Sequence, residues 1–133
     1  MTSRRSNAIA RLVLGAPLIA FGLNGLLDFI PPPAAPLPQG AATFLGALAE
    51  TGYMMELIAL TQLAVGILLV ANRFVPFALV LLAPFLVQSI AFHAFLERSG
   101  LPMAIALLAL ELYLAWAYRN AYRGILEPRS SAA

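Results

Sequence analysis

The sequence predicts an all-α protein, an integral membrane four-helix bundle, and three observations carry that prediction. First, four apolar runs, at about 12–30, 53–71, 74–96 and 101–118, fill most of the 133 residues. A helix needs ~20 mostly apolar residues to cross ~30 Å of hydrocarbon, and each run is close to that length. Second, hydrophobic residues make up 62% of the chain and charged residues 11%, against roughly 45–50% and 25% in soluble domains. Too few charges remain to cover a water-facing surface, and a mean hydropathy of +0.88 agrees. Third, seven of the eight arginines fall on one side of a chain that crosses an even number of times.

Arg4, Arg5 and Arg11 precede or open the first run, Arg73 sits in the joint between the second and third, and Arg119, Arg123 and Arg129 follow the fourth. Only Arg98, beside Glu97, falls on the other side. Positive residues collect on the cytoplasmic side of short loops, so both termini are expected in the cytoplasm. That placement accounts for the net charge of +2 without a nucleic-acid partner; the partner it implies is the lipid bilayer. One four-span domain uses the whole of 1–133, and no second domain is expected. The absence of cysteine excludes disulfides, thiolate metal sites, iron–sulfur ligation and paired-thiol electron relays.

The elements follow in order. The first run has a basic start like a signal peptide, but its apolar stretch reaches Ile30 and leads into Pro31-Pro32-Pro33 with no clear small-residue cleavage site, so it is read as a retained helix. Within it Gly15, Gly22 and Gly25 follow i, i+7, i+10 and form one smooth face for close helix contact. The first outer connection, 31–52, begins with prolines that forbid a helix. After Gly40 the stretch 41–50 predicts a short interfacial helix, with Phe44, Leu45 and Leu48 on one face. It would act as a loop cap or as a lid that recruits substrate. Asn72-Arg73 allows only an antiparallel hairpin between the second and third spans. The turn at 97–100 likewise makes the third and fourth spans neighbours. Pro102 opens the fourth span where its missing N–H costs little, whereas Pro17 and Pro84 lie inside spans. Trp116, Tyr118 and Tyr122 form an aromatic anchor at the inner interface, and a tail over 124–133 is expected to be disordered.

Polar side chains inside spans are costly and by default mark function. Seven stand out: Asn24, Asp28, Glu56, Gln62, Gln88, His93 and Glu111. Asp28, Glu56 and His93 lie within about a turn of the outer boundary. Asn24 and Asp28 share a face at i, i+4, as do Ser89 and His93. Gln62 and Glu111 fall near the middle of their spans, with Gln88 slightly nearer the outside. The inner halves read as almost pure Leu, Val, Ala and Ile. This asymmetry predicts an outward-facing pocket floored by Gln62 and a protonated Glu111 that donates to it. The plainer reading makes the midplane pair an interhelical hydrogen bond worth ~0.6–2 kcal/mol and gives the outer groups to headgroups and water. No catalytic residues are assigned. A single histidine among scattered carboxylates lacks the spacing of a metal site or a haem ligand set, and no phosphate loop or nucleophile elbow is present.

Phe21-Gly22-Leu23-Asn24-Gly25, then a proline-bearing outer loop, Gly66-Ile67-Leu68-Leu69 and Asn72-Arg73-Phe74-Val75-Pro76 occur in this order. Leu82-Ala83-Pro84, Phe92-His93 and Trp116-Ala117-Tyr118-Arg119 complete the series. From about Arg11 to Gly124 the chain thereby resembles the DoxX-like membrane proteins. The resemblance implies a bacterial or archaeal four-helix protein of the inner membrane, in a group whose members include a quinol oxidase subunit and partners of oxidoreductase or thiol-stress complexes. Many relatives carry an acid four positions before the glycine that here is Gly66, where this chain has Gln62. The function expected on this basis is an accessory subunit of a quinone-linked oxidoreductase, with no catalysis of its own and quinone as the one possible cofactor. A small transporter working as a homodimer and a purely structural membrane protein are the alternatives.

Overall fold

The structure, a computed structural model, describes residues 2–128 and is all-helical, with no strand among them. Five helices follow one another: α1 (Thr2–Leu27), α2 (Gln39–Glu50), α3 (Met54–Val70), α4 (Val75–Phe95) and α5 (Leu101–Ala117). Short 3₁₀ turns at Arg98–Gly100 and Arg119–Tyr122 flank α5. Arg129 and the last part of the expected tail lie outside the described residues. The runs Ser3–Leu27, Val75–Phe95 and Arg98–Ala117 are each long and apolar enough to cross a membrane. At 17 residues, α3 is ~25 Å long, at the short limit for a span. It qualifies as a fourth together with α2, from which it is bent by 93°. That bend lays α2 across the end of α3, the arrangement an interfacial helix requires.

Helix ends are set by capping, and here the apolar runs mislead. The first run continues to Ile30, yet α1 stops at Leu27 because Asp28 turns left-handed, at φ 51°. Its N–H donates to the Asn24 carbonyl (2.8 Å), while the Asn24 side-chain oxygen accepts from Ile30 N–H at 2.6 Å. The polar end thus prevails over two further apolar residues, Phe29 and Ile30. At its start α1 reaches back to Thr2, well before the expected Leu12. The end of α3 carries the paired bonds of a Schellman motif, Arg73 N–H to Leu68 O (3.0 Å) and Asn72 N–H to Leu69 O (3.2 Å), with Asn72 at φ 55°. This turns the chain straight into α4, which opens with Pro76 in its first turn. Pro102 plays the same part in α5, as its position predicts.

The packing is consecutive. The most extensive contact joins α1 to α3; α3 then packs on α4, α4 on α5, and α5 returns to α1. The glycine face of α1 is the reason for the first. A Cβ at Gly22 would come within 2.6 Å of Leu63 N and 2.8 Å of Ala59 O, and one at Gly25 within 2.7 Å of Ala59 Cβ. Gly66 of α3 answers from the other side, where a Cβ would meet Gly15 O at 2.8 Å. Leu14, Leu18, Val65, Leu69, Leu82, Leu86 and Leu114 are fully buried inside the ring of helices. Outside it, Leu57, Leu60, Ile67, Phe77, Val80, Val87, Ile105 and Leu112 are half or more exposed. A water-soluble monomer does not leave apolar faces of this extent bare, whereas lipid would cover them.

Candidate functional site

An apolar groove of about 730 Å³ is roofed by α2 and walled by α3 and α4. Phe44, Leu45 and Leu48, the face expected from their spacing, form the roof. Met54, Leu57, Ile58, Leu81, Pro84 and Phe85 line the walls and floor. Phe44 meets Phe92 of α4 at a ring-centroid distance of 5.6 Å and closes one end. Three polar side chains reach the groove: Thr61, Gln88 and Ser89. The Thr61 hydroxyl already donates to Leu57 O (2.8 Å) within its own helix. Gln88 has no hydrogen-bond partner among the described residues, so its amide is free to meet a ligand carbonyl or hydroxyl.

Of the seven polar residues singled out in the sequence, Gln88 alone lines this groove. Asn24 is occupied in closing α1, and Asp28 lies beyond the helix, exposed. Glu56 is exposed in the first turn of α3, where a carboxylate is favoured by the helix dipole. Gln62 is half-buried at mid-height of α3, and it makes no hydrogen bond with Glu111. Glu111 is 5% exposed, the one buried charged residue among those described. It is the eleventh of the 17 residues of α5. Neither Gln62 nor Glu111 lines this groove, whose walls are apolar side chains. Helices that are apolar all round leave no sign in the sequence of which face turns inward.

His93 belongs to a turn. Its Nδ1 lies 2.9 Å from the Glu97 carbonyl and 3.1 Å from a Glu97 carboxylate oxygen. Both are acceptors, so Nδ1 carries the proton and donates. The imidazole fills the space that a side chain at Gly100 would need. Glu97, which sequence reading passed over, is the centre of this end: its carboxylate accepts from Ser99 N–H (2.8 Å) and Gly100 N–H (3.1 Å). Hydrogen bonds from Ser99 foremost, then from Gly100 and His93, lower its pKa from 4.5 to about 2. A carboxylate depressed in the folded state stabilises above its unfolded value, and that contribution is lost as pH falls. Thermal stability is expected to decline between pH 4.5 and about 2, and Glu97→Gln to flatten that decline. Equal pH profiles for the two proteins would disprove the assignment.

At the opposite end, α1, the α3–α4 joint and α5 are tied together by side chains. Arg11 Nη1 donates to Asn72 Oδ1 and to the Tyr118 hydroxyl, the latter at 3.1 Å. The Tyr113 hydroxyl donates to Asn7 Oδ1 at 2.9 Å. Tyr122 donates to Pro76 O (3.1 Å), and burial, then the nearby Glu111, raises its phenol pKa. Arg119 lies over the Trp116 ring at 4.5 Å while donating to the Trp116 carbonyl. The partners of Arg11, Tyr113 and Tyr122 in this network stand 46 to 107 positions away, so spacing in the sequence did not reveal it. Arginine and tyrosine at the ends of the runs were its only trace. No known family, curated protein or solved structure matches the chain.

Proposed function

We propose that this chain is a multi-pass protein of a bacterial or archaeal inner membrane. In this reading it holds an apolar amphiphile, an isoprenoid quinone, in the groove beneath α2, as an accessory subunit of a quinone-linked oxidoreductase. The observation that carries the reading is the groove itself: about 730 Å³ of apolar space with one unpartnered amide, Gln88. That size falls within the ~300–1,000 Å³ common for small-molecule sites. The combination suits a ligand that is mostly hydrocarbon with a carbonyl to be gripped. Burial of its apolar surface supplies affinity at ~25 cal/mol per Å², and the amide fixes its orientation. The bare apolar flanks and the transverse α2 agree with a bundle sunk in lipid. The order of short motifs shared with DoxX-like proteins points to the same class of partner. In this reading both termini are cytoplasmic, which the arginine pattern supports, and a reporter fused after Ala133 would then read cytoplasmic.

The test is gentle extraction of the full chain followed by mass spectrometry of what stays bound. Quinone is expected to co-purify, and Gln88→Leu to lower its retention by about 2–10-fold, the worth of one hydrogen bond. Recovery with bulk phospholipid alone, and no quinone, would overturn the proposal.

A further inference from the structure

The network at the arginine-bearing end encloses a second cavity, a cleft of about 340 Å³ lined by Arg4, Asn7, Arg11, Asn72 and Tyr118. What matters is which hydrogen-bonding groups are left over. The acceptors are engaged: Asn7 Oδ1 by Tyr113, and Asn72 Oδ1 and the Tyr118 oxygen by Arg11. The donors are not. Both asparagine NH₂ groups, the Tyr118 proton and the Arg4 guanidinium have no acceptor among the described residues. Arg11 uses only Nη1, and its Nε is buried with no partner. The N–H groups that Arg11 and Arg4 leave unused are charged donors, the kind that makes the stronger hydrogen bonds to an oxyanion. No carboxylate lines the cleft, so two positive charges stand there uncompensated.

A lining that only donates and carries two positive charges selects a ligand that only accepts and is negative. From this geometry we infer that the cleft binds a phosphate oxyanion. Arg11, held in place by Asn72 and Tyr118, supplies one charge and its remaining Nη donors, and Arg4 supplies the second charge. The site is separate from the groove beneath α2 and does not depend on its ligand. The phosphate has two possible sources, a lipid headgroup at the membrane surface or a soluble phosphate.

The full chain, purified in neutral detergent and stripped of lipid, is tested by thermal shift against three probes: inorganic phosphate, phosphatidic acid and diacylglycerol. Protection by phosphatidic acid alone identifies a headgroup site. Protection by inorganic phosphate as well identifies a site for the free anion. Arg4→Gln, at an exposed position, is expected to weaken the effective probe about five-fold, and Arg11→Gln to abolish its effect. Arg98→Gln, at the other end of the bundle, should leave it unchanged. Lack of protection by either phosphate probe would overturn the inference. So would equal protection by diacylglycerol, or an Arg4→Gln protein that responds like the unaltered one.

Discussion

Replacing Gly22 with alanine is expected to destabilise the bundle by about 1–3 kcal/mol, the range for overpacking a closed interface. The added methyl would stand 2.6 Å from Leu63 N and 2.8 Å from Ala59 O. Both are helix backbone, which cannot swing aside as a side-chain tip can. The helices must part, and the contact that gives way is the broadest in the fold. Gly46 of α2 supplies the control, because nothing lies within 4 Å of a Cβ built there. There alanine is expected to gain ~0.5–1 kcal/mol through reduced backbone freedom in the unfolded chain. Unfolding followed by fluorescence of Trp116, the single tryptophan, measures both. If Gly22→Ala unfolds at the same point as the unaltered protein, the close approach of α1 and α3 is wrong.

Glu111 is the second site where a large effect is expected. Its side chain is 5% exposed and has no hydrogen bond among the described residues. Leu107 and Leu114 flank it on the same helix within the core. Holding a carboxyl among apolar side chains without a hydrogen bond costs up to about 1–3 kcal/mol, and Glu111→Leu should return part of that amount as stability at nearly the same volume. Glu111→Gln should fall between the two. A loss of stability in Glu111→Leu would show that the carboxyl is compensated in the folded protein and would overturn this expectation. A positive result therefore marks the residue as one kept against stability, which is the usual signature of function in a membrane interior.

Features that depend on neighbours in sequence were legible beforehand. The glycine face of α1, the Phe44–Leu45–Leu48 face of α2 and the proline in the first turn of α5 are local patterns, and the structure contains all three. The site was less legible, for two physical reasons. Capping groups decide where a helix ends even when hydrophobicity continues, so Asn24 and His93 serve helix ends although they looked like pocket groups. The rotation of a uniformly apolar helix about its axis has no sequence signature, so Gln62 and Glu111 could be placed at depth but not facing one another. The donor-lined cleft was hidden for a third reason: Arg11, Asn72 and Tyr118 come from three distant segments.

The consecutive ring of packing has a consequence for how the protein is made. Each long helix after α1 finds its first partner already present: α3 docks on α1, α4 on α3 and α5 on α4. Synthesis from the N-terminus can therefore lay down the bundle one seam at a time, without waiting for a distant segment. Only the last seam, α5 against α1, joins the two extremities of the chain, and Arg11 and Tyr118 fasten it. Until the ribosome has passed Tyr118 the bundle stays an open fan, and the arginine-bearing end has no cleft. In that order the arginine-bearing end closes last, whereas the groove beneath α2 needs only α2, α3 and α4.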